Sequence, residues 1–67
     1  MNHVQLKAFH AVAESGGFST AAKILGLTQP AVTLQVQALE QSYNTKLFKR
    51  RGRKTEITAS GKLLLNL

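Results

Sequence analysis

The stretch from Phe18 to Glu40 constrains the fold more than any other part of this sequence. Its first half places apolar residues at helical spacing: Phe18, Ala21, Ala22 and Leu25. A helix with this spacing has one face that can be buried. Gly26 follows, where a left-handed backbone lets the chain leave the helix without a steric cost, and Leu27 is expected to return to the core. The pattern therefore predicts a short amphipathic helix that ends in a tight turn.

A second helix is predicted directly after this turn. Thr28 is suited to the N-cap, where its hydroxyl accepts a bond from a free backbone N–H, and Pro30 falls in the first turn, where its missing donor is not needed. The buried stripe of this helix is Val32, Val36 and Leu39. The residues facing outward are Gln29, Thr33, Leu34 and Gln37. Two helices joined in this way predict a helix-turn-helix, and DNA binding is the first hypothesis for function.

The distribution of charge indicates a polyanionic partner. The net charge is +6 and the pI is about 10.4, which favours nucleic acid first and an anionic membrane surface second. Six of the nine Lys and Arg residues lie between positions 46 and 54, and none lies between Ile24 and Thr45. The positive charge is therefore a local patch beside the helix-turn-helix.

Composition limits the other possibilities. Sixty-seven residues allow one domain with a thin core, and 43% hydrophobic content is ordinary for a globular chain. Without cysteine there is no disulfide or thiolate metal site. The sequence has no apolar run of about 18 residues and no signal-peptide layout. We therefore expect a cytoplasmic protein without a membrane span.

Further elements are predicted on both sides of the helix-turn-helix. Asn2 is suited to cap a first helix that runs to about Glu14, with its apolar residues at Leu6, Phe9, Val12 and Ala13. The second helix of the helix-turn-helix continues to Tyr43, and Asn44 suits a left-handed exit.

A two-stranded ribbon, or wing, is predicted next. Residues 46–50 and 54–58 form the strands around a turn at Arg51-Gly52-Arg53. A lone ribbon is marginal unless it packs on something, and the expected anchors are Leu47, Phe48 and Ile57. Thr58 is suited to cap a last helix that begins at Ala59.

Several short motifs follow one another in a fixed order. They are Leu6-x-x-Phe9-x-x-Val12-Ala13, Gly17-Phe18-Ser19-x-Ala21-Ala22-x-x-Leu25, Leu27-Thr28-Gln29-Pro30-Ala31-Val32-Thr33, Gln35-Val36-x-x-Leu39-Glu40, Leu47-Phe48-x-Arg50, Gly52-Arg53 and Thr58-x-x-Gly61. Each motif is weak alone, but the ordered set resembles the N-terminal DNA-binding domain of LysR-type transcriptional regulators. The resemblance covers nearly the whole chain.

The resemblance implies a mainly α fold: a winged helix-turn-helix with three helices, a short two-stranded wing and the start of a C-terminal linker helix. Residues 1–58 would be the DNA-binding domain and residues 59–67 the start of the linker and dimerisation helix, with the effector domain outside this chain. Family members are typically homodimers or tetramers that bind promoter DNA with dyad symmetry. We therefore expect no cofactor in this domain and a small-molecule inducer only for the effector domain.

Three positions depart from the family pattern. Leu34 stands where the family usually has Arg or Lys, and Gln37 stands where Arg or Lys is again common. Asn44 occupies a position usually held by Gly, and the left-handed exit tolerates it. In place of a charged contact, Leu34 can touch a thymine methyl group in the major groove.

The outer face of the second helix of the helix-turn-helix carries the candidate contacts to bases and the groove. These are Gln29, Pro30, Thr33, Leu34 and Gln37. An amide side chain pairs bidentately with adenine, and small neighbours let a helix enter the groove closely. The alternative is that they form the solvated face of an amphipathic helix, and that Leu34 is incidentally exposed.

Two groups are candidates for contact with DNA phosphates. At the helix starts they are Thr28, Ser19 and Thr20, where a hydroxyl and nearby N–H groups favour an anion. On the wing they are Arg50, Arg51, Arg53 and Lys54, with Arg53 best placed to enter the minor groove. The alternatives are helix capping alone for the hydroxyls and a solubilising charge run for the wing.

The C-terminal leucines have two interpretations. They close the small core beneath the first helix, or they pair with a second protomer. Three leucines in succession span too wide an arc for one thin core. We therefore predict dimerisation through the last helix, together with the first. The residues assigned to it are Leu63, Leu64 and Leu67.

Other classes of function find less support. His3 and His10 lie seven residues apart and make no convincing metal site. The three glutamates are far apart and offer no acid–base pair, so no enzyme activity is expected. Non-specific nucleic-acid packaging or RNA binding would favour exposed aromatic residues, whereas those here are expected to be mostly buried. Membrane-surface binding would favour cations along an amphipathic helix and not on a ribbon.

Overall fold

A computed structural model describes residues 2–67, and Met1, the first residue of the predicted DNA-binding domain, lies outside them. The described residues form four helices and one two-stranded antiparallel sheet. The elements are α1 His3–Ser15, α2 Phe18–Leu25, α3 Gln29–Tyr43, β1 Phe48–Arg51, β2 Lys54–Ile57 and α4 Ala59–Leu65. This architecture confirms the mainly α winged helix-turn-helix predicted from the sequence. None of these helices is long and apolar enough to cross a membrane.

Short-range hydrogen bonds define the helix ends. The Asn2 side chain accepts from the Gln5 N–H at 2.8 Å, while the Gln5 side chain accepts from the Asn2 N–H, which completes a capping box. Thr58 caps α4 by accepting from the Gly61 N–H at 3.1 Å. Asn44 ends α3 with a φ of +51°. These ends agree with the capping residues expected from the sequence.

The core lies where α1 packs across α2 and α3. Its buried apolar residues are Ala8, Phe9, Ala11, Val12, Ala21, Ala22, Val32, Val36, Leu39, Leu47 and Phe48. The four alanines let the helices approach closely, since interaxial distance depends on the side chains at the contact. Phe48, the first residue of β1, places its ring centroid 5.4 Å from that of Phe9 and 5.8 Å from that of Phe18. The wing is thus joined to the helices by an aromatic cluster.

The prediction that Leu27 returns to the core is wrong, because its side chain is 44% exposed. Leu27 contributes to the turn through its backbone N–H group and not through its side chain. The Leu27 N–H donates to the Ala22 carbonyl at 2.9 Å, and the Gly26 N–H donates to the Lys23 carbonyl at 3.3 Å. This is the Schellman pattern, with Gly26 in the left-handed region at φ +67°. The motif fixes the backbone of Leu27 at the end of α2 and leaves its side chain largely outside the core.

The wing is shorter at its base than predicted, because β1 begins at Phe48 and not at residue 46, and β2 ends at Ile57 and not at Thr58. β1 begins at Phe48 and includes Arg51, so the turn is Gly52-Arg53 and not the three residues Arg51-Gly52-Arg53. The register pairs Phe48 with Ile57 and Arg51 with Lys54.

The hydrogen bonds of the residues before β1 explain its later start. The Leu47 N–H donates to the Glu40 side chain at 2.8 Å, and the Thr58 hydroxyl donates to the Lys46 carbonyl at 2.6 Å. Lys46 and Leu47 are therefore held by the side chains of Thr58 and Glu40, and the one backbone bond that Leu47 makes to the end of the ribbon is its carbonyl accepting from the Thr58 N–H at 2.9 Å.

Gly61 lies where α4 crosses the base of the wing. A Cβ atom at this position would lie 2.5 Å from the Leu47 carbonyl oxygen and 2.5 Å from Ile57 Cγ1. Neither atom is the free end of a flexible side chain, so the close approach of α4 requires glycine.

We expect Gly61→Ala to lower the free energy of unfolding by about 1–3 kcal/mol, because overpacking outweighs the gain in helix propensity. Urea denaturation measures this. Gly17→Ala is the matched control, since that residue has an extended φ of −167° and its Cβ would lie 3.7 Å from the nearest atom. Equal stability of the two variants would contradict the close contact at Gly61.

Candidate nucleic-acid interface

The outward face of α3 collects all five predicted base-contact residues within one arc of the helix. Gln29, Pro30, Leu34 and Gln37 are exposed, and Thr33 is half-buried. The opposite side of α3 is buried through Val32, Val36 and Leu39, as predicted. The helix therefore presents one outer surface, which we call the α3 surface and define as Gln29, Pro30, Thr33, Leu34 and Gln37.

The hydrogen bond of Thr33 decides what its hydroxyl can offer to a ligand. Thr33 Oγ1 donates to the Gln29 carbonyl oxygen at 3.0 Å. Because its single proton is engaged with the backbone, the oxygen is left as an acceptor. Within the α3 surface, hydrogen-bond donors must come from the amides of Gln29 and Gln37.

The hydroxyls at the helix starts differ in their local roles. Thr28 is the N-cap of α3 and accepts from the Ala31 N–H at 3.3 Å, as predicted. Ser19 and Thr20 are exposed in the first turn of α2, but the N-cap there is Gly17, which makes no side-chain cap. The capping alternative for Ser19 is therefore wrong, because the extended Gly17 occupies the capping position and Ser19 lies inside the helix.

Strand alternation divides the wing into two faces. Phe48 and Arg50 point to one side of β1, and Lys49 and Arg51 point to the other. On this second side Arg51 Nη1 lies 3.3 Å from Glu56 Oε1. The four cations assigned to the wing are all exposed, but Arg51 has a carboxylate partner, whereas Arg50, Arg53 and Lys54 have no ion pair within the described residues.

The wing and the α3 surface are neighbours in the structure. A small open recess of about 100 Å³ is lined by Thr33 and Gln37 of α3 and by Lys49, Arg50 and Thr55 of the wing. The neutral helix face therefore continues directly into the cationic ribbon. Sequence analysis missed Lys49 and Thr55, which enter this surface only because the ribbon folds back against α3.

Glu40 holds the start of the wing, a structural role that the sequence pattern did not indicate. Its side chain is only 8% exposed, and Oε2 accepts from the backbone N–H groups of Leu47 at 2.8 Å and Phe48 at 3.3 Å. This carboxylate connects the inner side of α3 to the start of β1. The available signal was its position four residues after Val36, which places Glu40 on the buried stripe of the helix.

The C-terminal leucines are expected either to close the core or to pair with a second protomer, and the structure places some of them in the core and some at the surface. Leu64 and Leu65 are half-buried and pack against the core, whereas Leu63 and Leu67 are exposed. Leu64 therefore helps to close the core beneath α1. The role of Leu63, Leu64 and Leu67 in dimerisation stays a prediction.

The histidines lie on the surface of α1. His10 Nε2 is 3.4 Å from Glu14 Oε1, and both side chains are exposed. The described residues contain no group of three or more His, Cys, Asp or Glu placed to hold a metal ion.

Residues 3–62 match the family described as bacterial regulatory helix-turn-helix protein, lysR family. The chain belongs to this family. A lysR-family domain therefore spans 60 of the 67 residues, counting from 3 to 62.

Individual relatives agree with this assignment. The HTH-type transcriptional regulator TfdT of Cupriavidus pinatubonensis is 53% identical over 62 residues, which are 92% of this chain and 27% of TfdT. A crystal structure of a CbnR_DBD-DNA complex has a TM-score of 0.93 and 45% identity, and the match covers 98% of this chain and 76% of that one. Full-length CbnR complexed with its target DNA has a TM-score of 0.92 and 45% identity, with 98% and 23% covered. The lysR-family domain thus spans about a quarter of the length of TfdT and of full-length CbnR.

We expect Glu40→Ala to destabilise the lysR-family domain by about 2–4 kcal/mol, because two N–H groups at the base of the wing lose their acceptor. Glu40→Gln keeps an acceptor oxygen, so a loss of about 1–2 kcal/mol is expected. Urea denaturation gives these values, and hydrogen exchange at Leu47 and Phe48 reports the wing directly.

Glu14→Ala is the control, since Glu14 is exposed on α1, and its effect should stay within about 0.5 kcal/mol. Unchanged exchange at Leu47 and Phe48 in Glu40→Ala would show that the carboxylate does not hold the wing.

Proposed function

We propose that this lysR-family domain binds duplex promoter DNA in a sequence-specific manner, as the DNA-binding part of a transcription regulator. The α3 helix lies in the major groove, and the wing contacts phosphates and the minor groove. One observation carries the proposal: the neutral α3 surface is continuous with the exposed cations of the wing. The relatives support it, since solved complexes of CbnR contain DNA.

The two parts of the interface have different tasks. Between Ile24 and Thr45 the sequence has no Lys or Arg, and its one acid, Glu40, is buried. The α3 surface thus offers amide, hydroxyl and apolar groups, which suit base edges, whereas cations suit phosphates. Sequence selectivity comes from α3, and most of the electrostatic affinity comes from the wing.

The hydroxyl groups at the starts of α2 and α3 are also placed to contact DNA. Thr28 at the N-cap of α3 and Ser19 and Thr20 in the first turn of α2 are exposed. The first-turn N–H groups of a helix attract an anion. These hydroxyls contact DNA phosphates on either side of the groove that α3 enters.

Binding of RNA or single strands is less well supported. Such partners are held by stacking bases on exposed aromatic rings. Phe9 and Phe48 are buried and Phe18 is half-buried. Among the Phe, Tyr and Trp residues, Tyr43 is the one with an exposed ring in residues 2–67.

The complete regulator is expected to be larger than this chain, as TfdT and full-length CbnR are. We propose that it is a homodimer or tetramer that reads a dyad-related site, with Leu63, Leu64 and Leu67 at the dimer contact and a small-molecule inducer bound by the effector domain. Its place of action is the cytoplasm, where promoter DNA lies. The domain itself needs no cofactor and performs no catalysis.

Selection from a random pool of duplex DNA, followed by sequencing, tests the proposed function. We expect a dyad-symmetric motif that persists from low to near-physiological salt. A pool without a motif, whose binding disappears as salt rises, would show that the domain is only an electrostatic binder.

In the selected site, Gln29→Ala is expected to weaken binding by about 1–3 kcal/mol and to relax the preference at one base pair, because the amide pairs with a base edge. Gln41→Ala is the matched control, since Gln41 is also exposed on α3 but lies in its C-terminal half. Recognition helices contact bases mainly with their N-terminal residues. Fluorescence anisotropy on the site and its single-base variants provides the comparison, and equal effects of the two variants would refute the role of Gln29.

The salt dependence of binding tests the wing. If about four cations per protomer neutralise phosphates, log K falls with log salt at a slope of roughly −3.5, and twice that for a dimer. Arg53→Ala should reduce the magnitude of the slope by about 0.9 per protomer. Arg51→Ala should reduce it less, because Glu56 already partners Arg51. Equal reductions would mean that this ion pair opens completely on DNA.

A further inference from the structure

Leu34 is an exposed leucine in the middle of a surface that is otherwise mostly polar. Its side chain is 65% exposed, and it does not belong to the core or to the residues packed against it. Pro30 lies one turn before it and Gln37 one turn after it on the same side of α3. The fold of the described residues gains little from this leucine, so its side chain is free to contact a ligand on the outer side of α3.

Small residues surround Leu34 and leave it prominent. Ala31 and Ala38 lie three residues before it and four after it, and both are half-buried. A helical leucine points back toward the N-terminus of its helix, which directs Leu34 over Pro30 and Ala31. These three residues form the apolar part of the outer side of α3, at the end that enters the groove first.

The chemistry of the major groove restricts what this apolar group can contact. Most base-edge atoms are hydrogen-bond donors or acceptors. Covering one with leucine removes its water without supplying a partner, which is costly. The methyl group on C5 of thymine is the one methyl group on these edges and their most prominent apolar group. The same methyl group is present on 5-methylcytosine and is absent from cytosine and uracil.

We infer that Leu34 makes this domain a reader of the pyrimidine C5-methyl group. In each half-site, Leu34 packs on the methyl group of one thymine, and at that position 5-methylcytosine is bound better than cytosine. The inference rests on the proposed function, because it requires α3 in the major groove. If Leu34 reads this group, the bound site must carry a pyrimidine C5-methyl group at one position of each half-site. Methylation of a cytosine at that position would then strengthen binding.

The expected size of the effect follows from the burial of one methyl group. Burial of one CH₂ group corresponds to about a fourfold change in an equilibrium constant. Removal of the methyl group from the contacted thymine should therefore weaken binding about three- to fivefold per half-site. In a dimer on a symmetric site, replacement in both half-sites should multiply the two effects.

The experiment uses this chain and the site obtained by selection. Each thymine is replaced in turn by deoxyuridine, and affinities are measured by fluorescence anisotropy at fixed salt for the wild type and Leu34→Ala. The control is Ile24→Ala, because Ile24 is 64% exposed but lies on α2 beside the leucines of α4. Circular dichroism and urea denaturation verify folding, which exposed substitutions should leave nearly unchanged.

The inference is supported if one thymine per half-site responds to replacement by deoxyuridine. At that thymine, the replacement should lower the DNA affinity of the wild type and of Ile24→Ala three- to fivefold and leave the affinity of Leu34→Ala unchanged. At that position cytosine should bind worse than 5-methylcytosine for the wild type, with a smaller difference for Leu34→Ala. Deoxyuridine effects that are absent, or identical in all three proteins, would overturn the inference while the selected motif leaves the proposed function standing. Failure to select any motif would overturn the proposed function and this inference with it.

Discussion

The hydrogen bonds from Leu47 and Phe48 to the Glu40 carboxylate connect the two halves of the interface. A buried charge is costly unless it is hydrogen-bonded, and Glu40 meets this requirement with two backbone N–H groups. The residue lies less than one helical turn after Gln37 of the α3 surface. Gln37 and Glu40 line the same small recess beside the wing, so this turn of α3 connects the α3 surface to the start of the wing.

Aromatic rings and a glycine bring four helices close to this joint. The rings of Phe9, Phe18 and Phe48 meet at centroid distances of 5.4 and 5.8 Å from Phe48, so the wing is anchored by both apolar and polar contacts. Gly61 lets α4 approach the Leu47 carbonyl. The residue range from Leu47 to Phe48 thus contacts α1, α2, α3 and the start of α4, and the direction of the ribbon depends on all of them.

The charged and the neutral residues of the interface lie on different elements. The α3 surface carries no ionisable group, while the wing carries exposed Arg and Lys residues. Screening by salt acts strongly on exposed charges and little on amide, hydroxyl or apolar contacts. In such an arrangement, the contribution of the wing depends on ionic strength, whereas the preference of α3 among bases does not. Leu34 gives that neutral surface its apolar centre.

The sequence by itself determined the local features of this protein. Helix ends at Asn2, Thr28, Asn44 and Thr58 were predictable, because a cap involves groups within about four residues. The outer face of α3 was predictable from helical periodicity, and the cationic wing from its charge. Only the tertiary structure decided the start of β1 at Phe48 and the burial of Glu40. Both depend on hydrogen bonds from side chains to the backbone of residues 46–48, and the partners in these bonds are 7 to 12 residues apart in sequence. Such contacts exist only after the chain has folded.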